Sequence, residues 1–175
     1  MAVIDDLFQP YAQRLLDCWC AQLALTDPAP AKCEFRWDDD LPTARMAVGI
    51  DECKCGFGWV RMVTWYPTTE ATFPDADTEP QVCPRLWAVV LEMGIGRCPP
   101  DGDASSLPTS AQMLAFQELM MGDGKAMRLA INCCFTEVNP LERVSFGRPL
   151  RSGSAGKCLQ QYMEVTVMVP ACEEC

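Results

Sequence analysis

One strand near the end of the chain sets the terms for everything before it. Met163, Val165, Val167 and Val169 alternate with Tyr162, Glu164, Thr166 and Met168, and Pro170 stops the run. A period of two with one apolar side is the pattern of a strand buried on one face. That face needs a second layer to cover it, so a sheet backed by helices is the economical solution.

The remaining segments supply both layers. At the N-terminus, Leu7, Phe8, Tyr11, Leu15, Cys18, Trp19 and Leu23 recur at steps of three and four, forming one stripe of a helix. Asp5 and Asp6 suit its start, and Pro10 is expected at the first turn of the regular helix. Asp27, Pro28 and Pro30 end it. Arg45–Ile50 reads as a possible strand and Gly56–Tyr66 as a better one. In the latter, Trp59, Arg61, Val63 and Trp65 fall on one side and Val60, Met62, Thr64 and Tyr66 on the other. Large β-prone residues on both sides predict a strand covered on both faces, at least in an assembly, with Arg61 and Trp65 at an interface as well as in the core. Leu86–Arg97 is another strand, with Trp87, Val89, Leu91, Met93 and Ile95 opposite Ala88, Val90, Glu92, Gly94 and Gly96. The small residues predict close approach of a backbone or a helix on that side.

Thr109 caps a second helix running to Met121, with Met113, Leu114, Phe116 and Met120 as its apolar set. Gly122-Asp123-Gly124 is expected to interrupt it, with Asp123 capping a continuation to Cys134 through Met127, Ala130 and Ile131. A short strand at Val144–Phe146 and a glycine-serine turn at Ser152–Gly156 lead into the last strand. The order predicts an α+β fold: a mixed or antiparallel sheet of about four to six strands, with the N-terminal helix and a broken second helix on one face. One domain spans 1–175, with long loops at 26–44, 67–85 and 99–108. No glycine fingerprint sits at a strand-to-helix turn, which argues against a doubly wound nucleotide-binding fold.

Composition narrows the chemistry. The chain of 175 residues has no histidine, so serine or cysteine nucleophiles lack their usual base and a histidine-ligated metal is excluded. Acidic residues outnumber basic ones 24 to 14, a net charge of −10, which disfavours gripping nucleic acid through its phosphates. No segment reaches the roughly 18 apolar residues that cross a membrane. The first ten residues, with two aspartates and no basic stretch, do not read as a secretory signal. Synthesis in a cytosol is therefore expected, which conflicts with twelve cysteines unless they are reduced, hold a metal, or oxidise later in a particle that leaves the cell.

Each candidate motif has a plainer alternative. Cys53-Lys54-Cys55 and Cys172-Glu173-Glu174-Cys175 could supply four thiolates to zinc, but only the second pair has the usual spacer. Disulfides or thiols are the preferred reading. Cys133 and Cys134 are neighbours and point to different partners or to the core. Cys18 lies on the apolar stripe as a small hydrophobe. Asp38, Asp39 and Asp40 read as a solvated acidic turn rather than a cation site. Glu92, on an otherwise apolar strand, is expected to pair with an arginine such as Arg61 or Arg128 rather than to act as a catalytic acid. No catalytic, cofactor-binding or metal-binding residue is assigned.

The stretches Trp87–Cys98 (WAVVLEMGIGRC), Ala126–Cys134 (AMRLAINCC), Arg148–Cys158 and Tyr162–Val169 (YMEVTVMV), with Tyr11–Leu16 (YAQRLL) in the opening helix, resemble head-to-tail connection proteins of long-tailed phages of actinobacteria. Within that group the chain looks most like a tail terminator. The resemblance implies a homo-oligomeric ring, typically a hexamer, assembled in the host cytoplasm and residing at the head–tail junction of the virion. It implies as partners the tail tube protein, a head connector or stopper, and genomic DNA that passes the lumen without sequence-specific contact. The adaptor of that group is mainly helical and the stopper a smaller β-barrel. The twelve cysteines depart from the group's usual pattern. A stopper, an adaptor or a small cysteine-rich zinc-binding module are the alternative readings.

Overall fold

The computed structural model of the chain describes residues 2–36, 56–79, 83–100, 107–135, 143–155 and 158–170. Helix α1 (Ala2–Leu23) is followed by strands β1 (Lys32–Arg36), β2 (Phe57–Thr68) and β3 (Leu86–Arg97). Helix α2 (Ser110–Phe135) comes next, then β4 (Val144–Phe146), β5 (Leu150–Ala155) and β6 (Cys158–Pro170). The six strands form one mixed sheet in the order β1-β2-β3-β6-β4, with β5 also paired to β6. Only β1 and β2 are parallel among these pairs; the others are antiparallel. This is the α+β architecture expected from the order of elements.

Both helices lie on one face of the sheet. Phe8, Leu15, Trp19 and Leu23 of α1 join Met127, Ala130 and Ile131 of α2 in a core with Val89, Leu91, Met93 and Ile95 of β3. Met163, Val165, Val167 and Val169 complete it from β6, so the alternation read in the last strand points its apolar side at the helices. Gly58 is part of this fit. A Cβ there would overlap Leu23 and crowd Cys33, so glycine is what lets α1 approach β2.

Several local expectations change. Helix α1 begins before Pro10 and runs through it, although the ring removes one helical hydrogen bond. Helix α2 is continuous across Gly122-Asp123-Gly124. Asp123 is not a cap; it is fully buried and bonded to Arg97 of β3. Gly124 faces Gln161 of β6, whose Nε2 would lie 2.7 Å from an added Cβ. Helix-to-sheet contact therefore explains an aspartate and a glycine that read locally as an interruption. The cap at Thr109 is present: its Oγ1 accepts from the Gln112 amide at 3.3 Å, while Gln112 Oε1 accepts from the Thr109 amide at 2.8 Å.

Strand β2 does not keep one pair of faces along its length. Its register with β3 shifts between Met62 and Thr64. One extra residue at such a bulge turns every later side chain to the opposite face. Trp59 and Arg61 thus lie away from the helices, whereas Trp65 meets Phe8 of α1 with ring centroids 5.9 Å apart. Phe57 to Val60 are buried, but Val63, Thr64 and Trp65 are exposed, so within the single chain only the first part of the strand is covered on both faces. At Gly94 the small residue makes room for a side chain rather than a backbone or helix, since the Trp59 indole occupies the space above it.

The expected loop at 26–44 contains β1, and β2 extends one residue past Pro67 into the next. Of the expected turn at Ser152–Gly156, Ser152 and Ala155 pair with β6 as part of β5, with a register irregularity between them, and Gly156 falls outside the described residues. The possible strand at Arg45–Ile50 falls outside the described residues.

Candidate functional site

Three groups of side chains have chemistry worth weighing, and the sheet positions two of them. On the face away from the helices, the register places Arg61 of β2 opposite Glu92 of β3, and Glu92 opposite Glu164 of β6. Arg61 Nε donates to Glu92 Oε1 at 2.9 Å and Nη2 to Oε2 at 3.0 Å. Trp59 Nε1 adds a third donor to Oε1 at 3.1 Å. Both oxygens of the buried carboxylate are therefore engaged by a planar fork and an indole, the geometry of a structural ion pair. The expected arginine partner is Arg61; Arg128 lies exposed on α2. The second acid, Glu164, could not be read from the sequence because it becomes Glu92's neighbour only through strand pairing.

Glu164 has one further effect. Tyr66 donates its hydroxyl to the Pro74 carbonyl at 2.7 Å. Burial raises its pKa above the ordinary 10.0, and the nearby Asp75 and Glu164 carboxylates push it the same way.

The second group is on the helix side. Arg97 donates Nη2 to Asp123 Oδ1 at 2.8 Å and Nε to Oδ2 at 3.1 Å. Its Nη1 also donates to the Pro28 carbonyl at 2.7 Å, and its Nη2 to Thr26 Oγ1 at 3.1 Å. One guanidinium thus joins the end of β3, the middle of α2 and the turn after α1. All three of its nitrogens are engaged in holding elements together, which is a fastening rather than a reaction centre.

The cysteines form the third group. Cys18 is disulfide-bonded to Cys134, joining α1 to α2, and Cys20 to Cys33, joining α1 to β1. Cys83 is disulfide-bonded as well. Cys18 is therefore a crosslink and not the packed thiol expected from its place on the stripe. Cys133 and Cys134 do diverge, since Cys133 is an exposed thiol beside Gln22. Cys53, Cys55, Cys172, Cys175 and the aspartates at 38–40 lie outside the described residues. Among the described residues no group of three or more histidine, cysteine, aspartate or glutamate side chains is arranged to hold a metal. Among them, too, no helix is long and apolar enough to cross a membrane.

Of the apolar set expected on the second helix, Met120 is buried but Met113 and Leu114 are exposed. The outer side of α2 exposes Leu114 (60%), Met121 (66%) and Leu129 (40%). Beside them a groove of about 500 Å³ runs between α2 and the end of α1, lined by Leu25, Leu119, Gly122 and Ala126 among others. The signal was present as apolar residues that the core-facing stripe of α2 does not use, but only the position of α1 tells which side is covered.

No family model matches the chain, and no curated protein matches it.

Proposed function

We propose that the chain is a structural part of a phage virion, a tail-terminator-like subunit that closes into a homo-oligomeric ring at the head–tail junction. The ring, a hexamer in this reading, caps the tail tube on one side and meets the head connector or stopper on the other. What carries the reading is the way the resembling stretches meet: Trp87–Cys98 forms most of β3, Tyr162–Val169 lies beside it in β6, and Ala126–Cys134 is the part of α2 that joins the same core. A helix-backed sheet suits a terminator better than a mainly helical adaptor or a small barrel. The sheet also ends in different strands, β1 on one side and β4 and β5 on the other, which suits head-to-tail contact between copies. A net charge of −10 lets a DNA duplex pass a lumen without being held.

Mass photometry and negative-stain microscopy of the purified protein, alone and with tail tubes, test this. Closed rings that sit at tube ends are expected. A monomer at micromolar concentration in the presence of tubes would sink the proposal.

A further inference from the structure

The exposed side of α2 is complementary to itself. Leu114, Glu118, Met121, Gly122, Lys125 and Leu129 fall on one side of the helix, within an arc of about 100° at 100° per residue. They extend over about 22 Å of helix at 1.5 Å per residue. Glu118 and Lys125 are exposed, like the three apolar residues, and an added Cβ at Gly122 meets nothing within 4 Å. Place a second α2 antiparallel to the first, with the two-fold axis between Met121 and Gly122. Leu114 then lies opposite the second copy's Leu129 and Glu118 opposite its Lys125 near the centre of the contact, while Met121 meets the second copy's Met121 along one edge and Gly122 its Gly122 along the other. The same pairs repeat on the other side of the axis, as an isologous contact requires. Apolar residues meet apolar, each charge meets its opposite, and the glycine edge lets the two helices approach.

We propose that α2 is a homodimerisation surface, whose partner is the α2 of a second copy packed antiparallel along the groove beside α1. Leu25 and Leu119, which line that groove, extend its apolar floor. This goes beyond the ring reading and does not rest on it: within a ring, the contact would join two rings face to face.

Light scattering on the oxidised full chain, with exposed thiols alkylated, tests the geometry. Leu114→Glu and Gly122→Phe should each lower the mass at least two-fold while leaving the far-ultraviolet circular dichroism unchanged, because both positions are exposed. Glu118→Lys and Lys125→Glu should each do the same through like-charge pairs, and their combination should restore the wild-type mass. That rescue separates an antiparallel contact from general apolar stickiness. A wild-type mass of one chain, a mass indifferent to these changes, or a double variant that stays dissociated would overturn the proposal. A ring indifferent to them leaves the ring reading standing, whereas a dimer that falls to monomers establishes the α2 contact and removes the ring.

Discussion

Arg97 and Asp123 are both almost fully withdrawn from water, so each depends on the other for its charge to be tolerated. Asp123→Ala leaves a buried guanidinium with one carboxylate fewer and should cost about 3–5 kcal/mol, the usual range for breaking a buried pair from one side. Combining Arg97→Met with Asp123→Leu removes both charges and should destabilise much less, as read from urea midpoints of the three proteins. Equal losses in the single and double variants would mean that Arg97 matters for its bonds to Thr26 and Pro28 instead. Tyr66 gives a pH-dependent counterpart. Its pKa is raised on folding, so the neutral phenol is favoured in the folded state. The associated stability is fully present below pH 10 and is lost as pH climbs through the folded value. The fall in urea midpoint between pH 9 and pH 11 should shrink in Tyr66→Phe; an unchanged fall would assign the alkaline loss to other groups.

Strand β6 is where an element-scale test is sharpest. Val167 faces the helices and is fully buried, while Thr166 faces the other way and is partly exposed. Val167→Asp would bury an unpaired carboxylate at a cost of several kcal/mol, enough to unfold a marginal domain, whereas Thr166→Asp should be mild. Equal urea midpoints for the two would refute the register. This strand was legible because its alternation is local and uninterrupted. Strand β2 was legible as a strand but not as a surface: nothing in Met62-Val63-Thr64 announces a bulge, and that single extra residue moved Trp65 from the face of Arg61 to the face of Phe8. Helix α2 was misread at Gly122–Gly124 because the reason for an aspartate and a glycine there lies in β3 and β6, far off in sequence. Glu92 was legible as a paired carboxylate because an acid on an apolar strand must find a cation, but the geometry that brings in Trp59 and Glu164 belongs to the register.

At the scale of the molecule, α1 is where the chain is fastened twice. Its apolar stripe already packs Phe8, Leu15, Trp19 and Leu23 into the core, so the helix has a place without covalent help. The disulfides then tie its C-terminal half in two directions, Cys18 to α2 and Cys20 to β1. Their effects on the unfolded chain differ because the loops they close differ. Cys18 and Cys134 are 116 residues apart, and Cys20 and Cys33 only 13. Loop-closure entropy assigns about 5 kcal/mol to the first and about 3 kcal/mol to the second. Cys18→Ser with Cys134→Ser should therefore lower the urea midpoint more than Cys20→Ser with Cys33→Ser, and a thiol reductant should lower it at least as far as either. Because the packing of α1 is independent of both bridges, the reduced protein should still fold, with an unchanged far-ultraviolet circular dichroism spectrum in the absence of urea. That outcome would let the chain fold with its cysteines reduced and harden on later oxidation. A reduced chain that is unfolded without denaturant would show instead that the bridges, and not the helix–sheet core, decide whether this fold exists.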